Sequence, residues 1–154
     1  MVGLAVAACG STNTGPAGAA TRSHAAGALV VAADDSLAAA FAVIQPAYEA
    51  ATPGAKLTLR FGPSSGLRAT IEGGAAIDLF FADDLATARA IATERLAAGP
   101  VVPFVVTQSG ATSGVVILAR SADVPGAASF VRWLGEADGR AILERFGLAR
   151  PPGP

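Results

Sequence analysis

Residues 59–84 read LRFGPSSGLRATIEGGAAIDLFFADD, and the order of signals in this stretch decides the fold class. The end of an alternating strand meets Gly62-Pro63-Ser64-Ser65-Gly66. Pro63 has no N–H to donate and biases Gly62 away from helical backbone. Ser64 or Ser65 suits the N-cap of a helix whose buried side is Leu67 and Ile71. Gly73-Gly74 ends that helix. Ile77 to Ala82 is a nearly unbroken apolar run of the kind that fits a strand covered on both faces. Asp83-Asp84 then opens another helix. Strand, helix and buried strand in succession predict a parallel βαβ unit. The unpaired N–H groups and partial positive charge at the helix start make the Ser-rich turn a candidate anion site. The same residues also read simply as a helix cap.

Upstream, Leu29 to Ala32 is a first strand, and Asp34-Asp35-Ser36 opens a helix with the residue types that cap one. Leu37, Phe41, Ile44 and Tyr48 recur at helical spacing and form one apolar stripe. Pro46 lies inside this pattern and predicts a kink or a division. Pro53-Gly54 marks a turn, and Lys56 to Phe61 alternates as a second strand. Downstream, Asp83-Asp84 caps a helix expected to reach Ala98. Val101 to Thr107 and Val115 to Ala119 are strand-like and joined by polar, Gly-containing residues, which predicts a hairpin. Pro125-Gly126 precedes a helix carrying Phe130, Trp133 and Leu134. A last helix, about Ala137 to Phe146, closes at Gly147. The expected fold is a single α/β domain with a mainly parallel sheet flanked by helices.

Composition narrows the function. The chain has 154 residues, a length that suggests one domain. It is 52% hydrophobic and only 15% charged, so apolar material for a core is plentiful. A net charge of −1 gives no electrostatic footprint for nucleic acid or an anionic membrane. His24, the only histidine, lies in a flexible-looking segment, and Cys9 is the only cysteine, which argues against a Cys/His metal site and a Ser-His-Asp triad. No activated nucleophile or acid–base pair stands out, so the chain does not read as an enzyme.

The N-terminus reads as an export segment. Val2 to Ala8 is a short apolar run ending in Val6-Ala7-Ala8-Cys9. It resembles a bacterial lipoprotein cleavage box, which implies loss of residues 1–8, a lipid on Cys9, and a periplasmic or cell-surface location. No Lys or Arg precedes the run, unlike a full signal peptide. Residues 9–27, rich in Ser, Thr, Gly and Ala, read as a flexible tether. The domain organisation expected is then a lobe over 28–150 and a frayed tail over 151–154.

Together, AADDSLAAAF, IQPAYE, FGPSSGLRATIEGGAAIDLFFADD and ASFVRWLGEADGRAILERFGL resemble the periplasmic molybdate-binding proteins of ABC importers, over about residues 29–98 and 115–148. The resemblance implies a periplasmic-binding-protein-like fold, a membrane permease as partner, and no cofactor beyond the transported ligand. That ligand would be molybdate, or a similar oxyanion such as tungstate or sulfate. It places the family's serine ligands at Ser36 and Ser64, with Ser65 beside the second. Hydroxyls and helix-end amides are donors, and a site built of donors suits a fully deprotonated oxyanion. Two departures stand out. Asp34 and Asp35 occupy positions that are usually small and uncharged in the family. The chain also passes from the helix expected to end near Ala98 almost directly to the returning strand. Most of the family's second lobe has no counterpart, nor has its tyrosine ligand, because Tyr48 falls in the first helix. Binding is expected to be weak.

Two other readings share these residues. Asp34, Asp35 and Asp83 follow apolar strands and could hold Mg²⁺ as in a receiver-like α/β domain. Lys56 is misplaced for that chemistry. Helix capping accounts for the same aspartates more simply. Alternatively, a one-lobe chain serves as a protein-interaction module, which predicts an exposed apolar patch.

Overall fold

The computed structural model describes residues 27–152. The segments 1–8 and most of 9–27, with Cys9 and its expected lipidation, lie outside the described residues, as do positions 153–154. Gly27 already belongs to the fold, because its carbonyl accepts the Lys56 N–H at 2.7 Å.

The strands are β1 (Ala28–Asp34), β2 (Lys56–Gly62), β3 (Leu79–Ala82), β4 (Val102–Val106) and β5 (Thr112–Ile117). They form one five-stranded sheet in the order β2-β1-β3-β5-β4. β1 runs parallel to both β2 and β3, and β5 runs antiparallel to β3 and to β4. Four strands therefore point the same way and β5 alone is reversed. A five-stranded receiver-like sheet is instead wholly parallel in the order 2-1-3-4-5. The topology thus corrects the receiver-like alternative.

The helices are α1 (Ala38–Ala51), α2 (Ser64–Glu72), α3 (Leu85–Thr93), α4 (Val124–Gly135) and α5 (Ala137–Arg145), with a short 3-10 turn at Asp35–Leu37 before α1. They cover both faces of the sheet. Alternate side chains of β1 divide between two cores, as the period of two along a strand requires. Val31 and Ala33 join Phe41, Ile44, Phe81, Phe130 and Leu134 in the core under α1, α4 and α5. Val30 and Ala32 join Leu67, Ile71, Phe80 and Ile91 under α2 and α3. Phe41 and Phe81 meet edge to face with ring centroids 4.9 Å apart, a favoured aromatic geometry. Tyr48 is 3% exposed, with its ring 4.7 Å from that of Phe130, so it is a core residue.

Several local expectations change. Pro46 does not divide the first helix into two, and α1 continues through it. The hydrogen bond it removes would have ended on the Ala42 carbonyl; Ala42 and Pro46 are both exposed, so water can satisfy that group. The N-cap of α2 is Pro63, and Ser64 is already the first helical residue. α3 stops at Thr93 instead of Ala98, and its turn passes through Arg95 at φ 60°. β4 and β5 form the expected hairpin, joined by residues 107–111. Pro103 sits in β4, at the sheet edge, where a missing N–H costs little.

At the far end of the parallel strands, the buried Asp78 fastens the sheet. Its Oδ2 accepts the Val30 N–H at 2.7 Å. Its Oδ1 accepts the Ser121 hydroxyl at 2.7 Å and the Ala122 N–H at 3.1 Å.

Candidate functional site

Three parallel strands end together. Asp34 closes β1 opposite Gly62 at the end of β2, and Ala82 closes β3 on the other side of β1. Each strand end runs into the start of a helical segment, the place where ligands collect in open α/β sheets. A cavity of about 510 Å³ opens there, walled by Ser36, Asp83, Asp84, Thr107, Gln108 and Ser109 among others. The hairpin tip thus borders the same space as the strand ends.

Asp34 is the centre of this region, with only 9% of its surface exposed. Its Oδ1 accepts the Ser36 N–H at 3.0 Å. Its Oδ2 accepts both the Ser64 N–H at 3.0 Å and the Ser64 hydroxyl at 2.8 Å. The Ser64 Oγ in turn accepts the Asp83 N–H at 2.9 Å, which ties all three strand ends into one chain of hydrogen bonds. Burial pushes the Asp34 carboxyl up, but the hydrogen bonds from Ser36 and Ser64 outweigh it and hold the group below its ordinary value.

The sequence candidates are therefore only partly brought together. Ser36 and Ser64 converge on one carboxylate. Ser65 does not join them: it is exposed and borders a separate surface depression with Arg68 and Glu72. This follows from the helix, since consecutive residues point about 100° apart and only Ser64 faces the sheet. Asp35 is exposed. Asp84 caps α3 by accepting the Thr87 N–H at 2.6 Å. The Oδ1 of Asp83 is buried and accepts no hydrogen bond among the described residues.

The Mg²⁺ reading through Asp34, Asp35 and Asp83 fails on side-chain chemistry as well as topology. Among the described residues no three His, Cys, Asp or Glu side chains group closely enough to hold a metal. Asp34 is already committed to N–H and O–H donors. The interaction-module reading predicted one exposed apolar patch. Instead, the large exposed apolar side chains among the described residues are Phe61 on β2, Val102 on the opposite sheet edge and Val124 at the start of α4.

Sequence reasoning missed that the Asp34 carboxylate accepts the Ser36 N–H and the Ser64 N–H and hydroxyl. The available signal was a carboxylate ending a strand whose parallel neighbour runs into a Ser-started helix. It also missed the hairpin side chains Thr107, Gln108 and Ser109 as cavity wall, which only the tertiary fold brings across.

The structure resembles solved proteins. The substrate-binding domain assigned to a molybdenum ABC transporter of Clostridium difficile matches at TM-score 0.75 and 16% identity, over 81% of this chain and 99% of that one. The periplasmic molybdate-binding protein of Azotobacter vinelandii matches at TM-score 0.72 and 12% identity, over 80% and 100%. Iron-bound HitA of Pseudomonas aeruginosa matches at TM-score 0.68 and 12% identity, over 81% and 86%. At such identities the likeness establishes the fold. No curated protein matches significantly in sequence. The family model for bacterial extracellular solute-binding proteins matches residues 29–113, more than half of the 154-residue chain. The chain belongs to the family of bacterial extracellular solute-binding proteins.

Proposed function

We propose that this protein is the substrate-binding component of an ABC importer for molybdate or a similar tetrahedral oxyanion, working with a membrane permease and having no enzymatic activity. The observation that carries this reading is the convergence of the Ser36 N–H and the Ser64 N–H and hydroxyl on Asp34 at the carboxyl ends of three parallel strands, where Asp34 and Ser36 line the 510 Å³ cavity. Two of the solved relatives are described as binding molybdate or serving molybdenum transport, which supports the choice of ligand. Family membership implies export. Within that setting, the Val6-Ala7-Ala8-Cys9 box supports a lipid anchor on Cys9, with residues 9–26 as tether and 27–150 as binding lobe. No described helix is long and apolar enough to cross a membrane.

Affinity is expected to be low. The cavity is open, and its wall carries Asp34, Asp83 and Asp84 without a Lys or Arg. An anion there exchanges hydrogen bonds with water for a net gain of only about 0.5–1.5 kcal/mol each. A dissociation constant on the order of millimolar follows. Isothermal titration of the full chain with molybdate, tungstate and sulfate tests the reading. Saturable heats in the millimolar range support it. No binding of any oxyanion at tens of millimolar, on the order of tenfold beyond that range, sinks it. Micromolar binding by a monomer refutes the weak-binding argument instead.

A further inference from the structure

We propose that Asp34 is the residue that decides whether this lobe accepts an anion, because its carboxylate is itself the occupant of the anion cradle. The inference rests on the oxyanion reading of the strand ends. A carboxylate and a tetrahedral oxyanion make the same demand on a site: several donors converging on clustered oxygens. The Ser36 N–H, the Ser64 N–H and the Ser64 hydroxyl converge in this way, and all three are spent on the two oxygens of Asp34.

The Ser64 hydroxyl has one proton to give. Because its oxygen already accepts the Asp83 N–H, its proton is directed to Asp34. Ser64 is 5% exposed and Asp34 is 9% exposed, so water competes poorly for these contacts. Ser36 is two residues from Asp34 and Ser64 is held beside it by the pairing of Asp34 with Gly62, so the fold gives the carboxylate a high effective concentration there. A free anion must displace it and then sit beside the displaced charge. Asp35, its exposed neighbour in sequence, takes no part.

The test compares wild type, Asp34→Ala and Asp34→Ser in the full chain. Serine can still cap the 3-10 turn, so one variant keeps the local backbone supported. Thermal melting is followed in sodium acetate against sodium chloride of equal ionic strength, and molybdate affinity is measured by titration calorimetry at neutral pH. Acetate should raise the melting temperature of either variant and leave wild type unmoved, since it replaces the missing carboxylate. Molybdate should bind the variants at least tenfold more tightly than wild type.

Equal molybdate affinity in wild type and variants overturns the inference and leaves the oxyanion reading standing. Rescue by acetate without molybdate binding in any protein upholds Asp34 as an exchangeable occupant and rejects the oxyanion transport reading. Variants insensitive to both anions, or unable to fold with or without acetate, overturn the inference, because Asp34 is then a cap that no free anion replaces.

Discussion

Replacing Asp78 should destabilise the fold strongly and leave the cavity untouched. Asp78 is 2% exposed and accepts three hydrogen bonds, from the Val30 N–H, the Ser121 hydroxyl and the Ala122 N–H. Hydrogen bonds to a charged group contribute about 1.5–3 kcal/mol each, and a buried donor left unpaired costs about 1–3 kcal/mol. These three are not independent. Ser121 and Ala122 lie in a loop that water can reach, whereas Val30 is 9% exposed inside the sheet. Asp78→Ala should therefore cost about 3–5 kcal/mol, dominated by the orphaned Val30 N–H and the lost charge-assisted bonds. Asp78→Asn keeps the shape, but its NH₂ group must face a donor in either flip, so a cost of about 2–3 kcal/mol is expected. Trp133, 9% exposed and the only tryptophan, reports unfolding by fluorescence in urea. Asp78→Asn within about 0.5 kcal/mol of wild type, the scatter of ordinary surface substitutions, would refute the reasoning.

Gly114 gives a packing test. A Cβ there would stand 2.6 Å from the Ala88 Cβ and 3.2 Å from Leu85 Cδ2, so Gly114→Ala should cost about 1–3 kcal/mol by pushing α3 off β5, and Ala88→Gly should recover part of it. Urea unfolding of the single and double variants checks this, and a neutral Gly114→Ala would contradict the close packing. Asp34 gives a pH test. Its folded pKa lies below the unfolded one, so its contribution is complete above the unfolded value, near 3.9, and fades as pH falls through the folded value. The stability gap between wild type and Asp34→Asn should narrow below about pH 4, and a gap constant from about pH 7 to pH 3 rejects the shift. Cys9 gives an export test. In a bacterial host a fatty-acid probe should label wild type but not Cys9→Ser, and equal labelling of the two would remove the anchor.

Much of the fold was legible along the chain. Ile77 to Ala82 announces a doubly covered strand because a central parallel strand has no solvent face on which to place a polar residue. β3 is in fact buried at all four positions, between β1 and β5. The stripe Phe41, Ile44 and Tyr48 marks the buried side of α1 through the same periodicity logic. What escaped depended on neighbours. Pro46 looked disruptive because exposure of the Ala42 carbonyl is a tertiary fact. Ser64 and Ser65 are equivalent as residue types, and only the orientation of α2 turns one inward. Asp78 and Asp34 are two aspartates near the two ends of the same strands. One binds the Val30 backbone and the loop at 121–122; the other binds the starts of two helical segments. Local sequence does not distinguish a carboxylate that fastens a sheet from one that fills a site.

The open cavity and the internal carboxylate have a common cause. Buried donors must be satisfied, and the Ser64 N–H and hydroxyl are buried at the strand ends whether or not a ligand arrives. A binding protein that closes around its solute can leave this task to the solute. Here the described residues form one sheet with its cavity open between the strand ends and the 107–111 hairpin, so a free anion would be held weakly and would leave the donors unpaired for much of the time. An acceptor supplied by the chain removes that dependence. Asp34 reaches three donors from the last position of β1, where a small residue would leave them to water or to a ligand. On the proposed oxyanion reading, the carboxylate that makes the lobe self-sufficient should also lower its affinity for the anion. Stability in the unliganded state and oxyanion affinity are thus opposed at one residue, and Asp34→Ser should shift the balance toward binding.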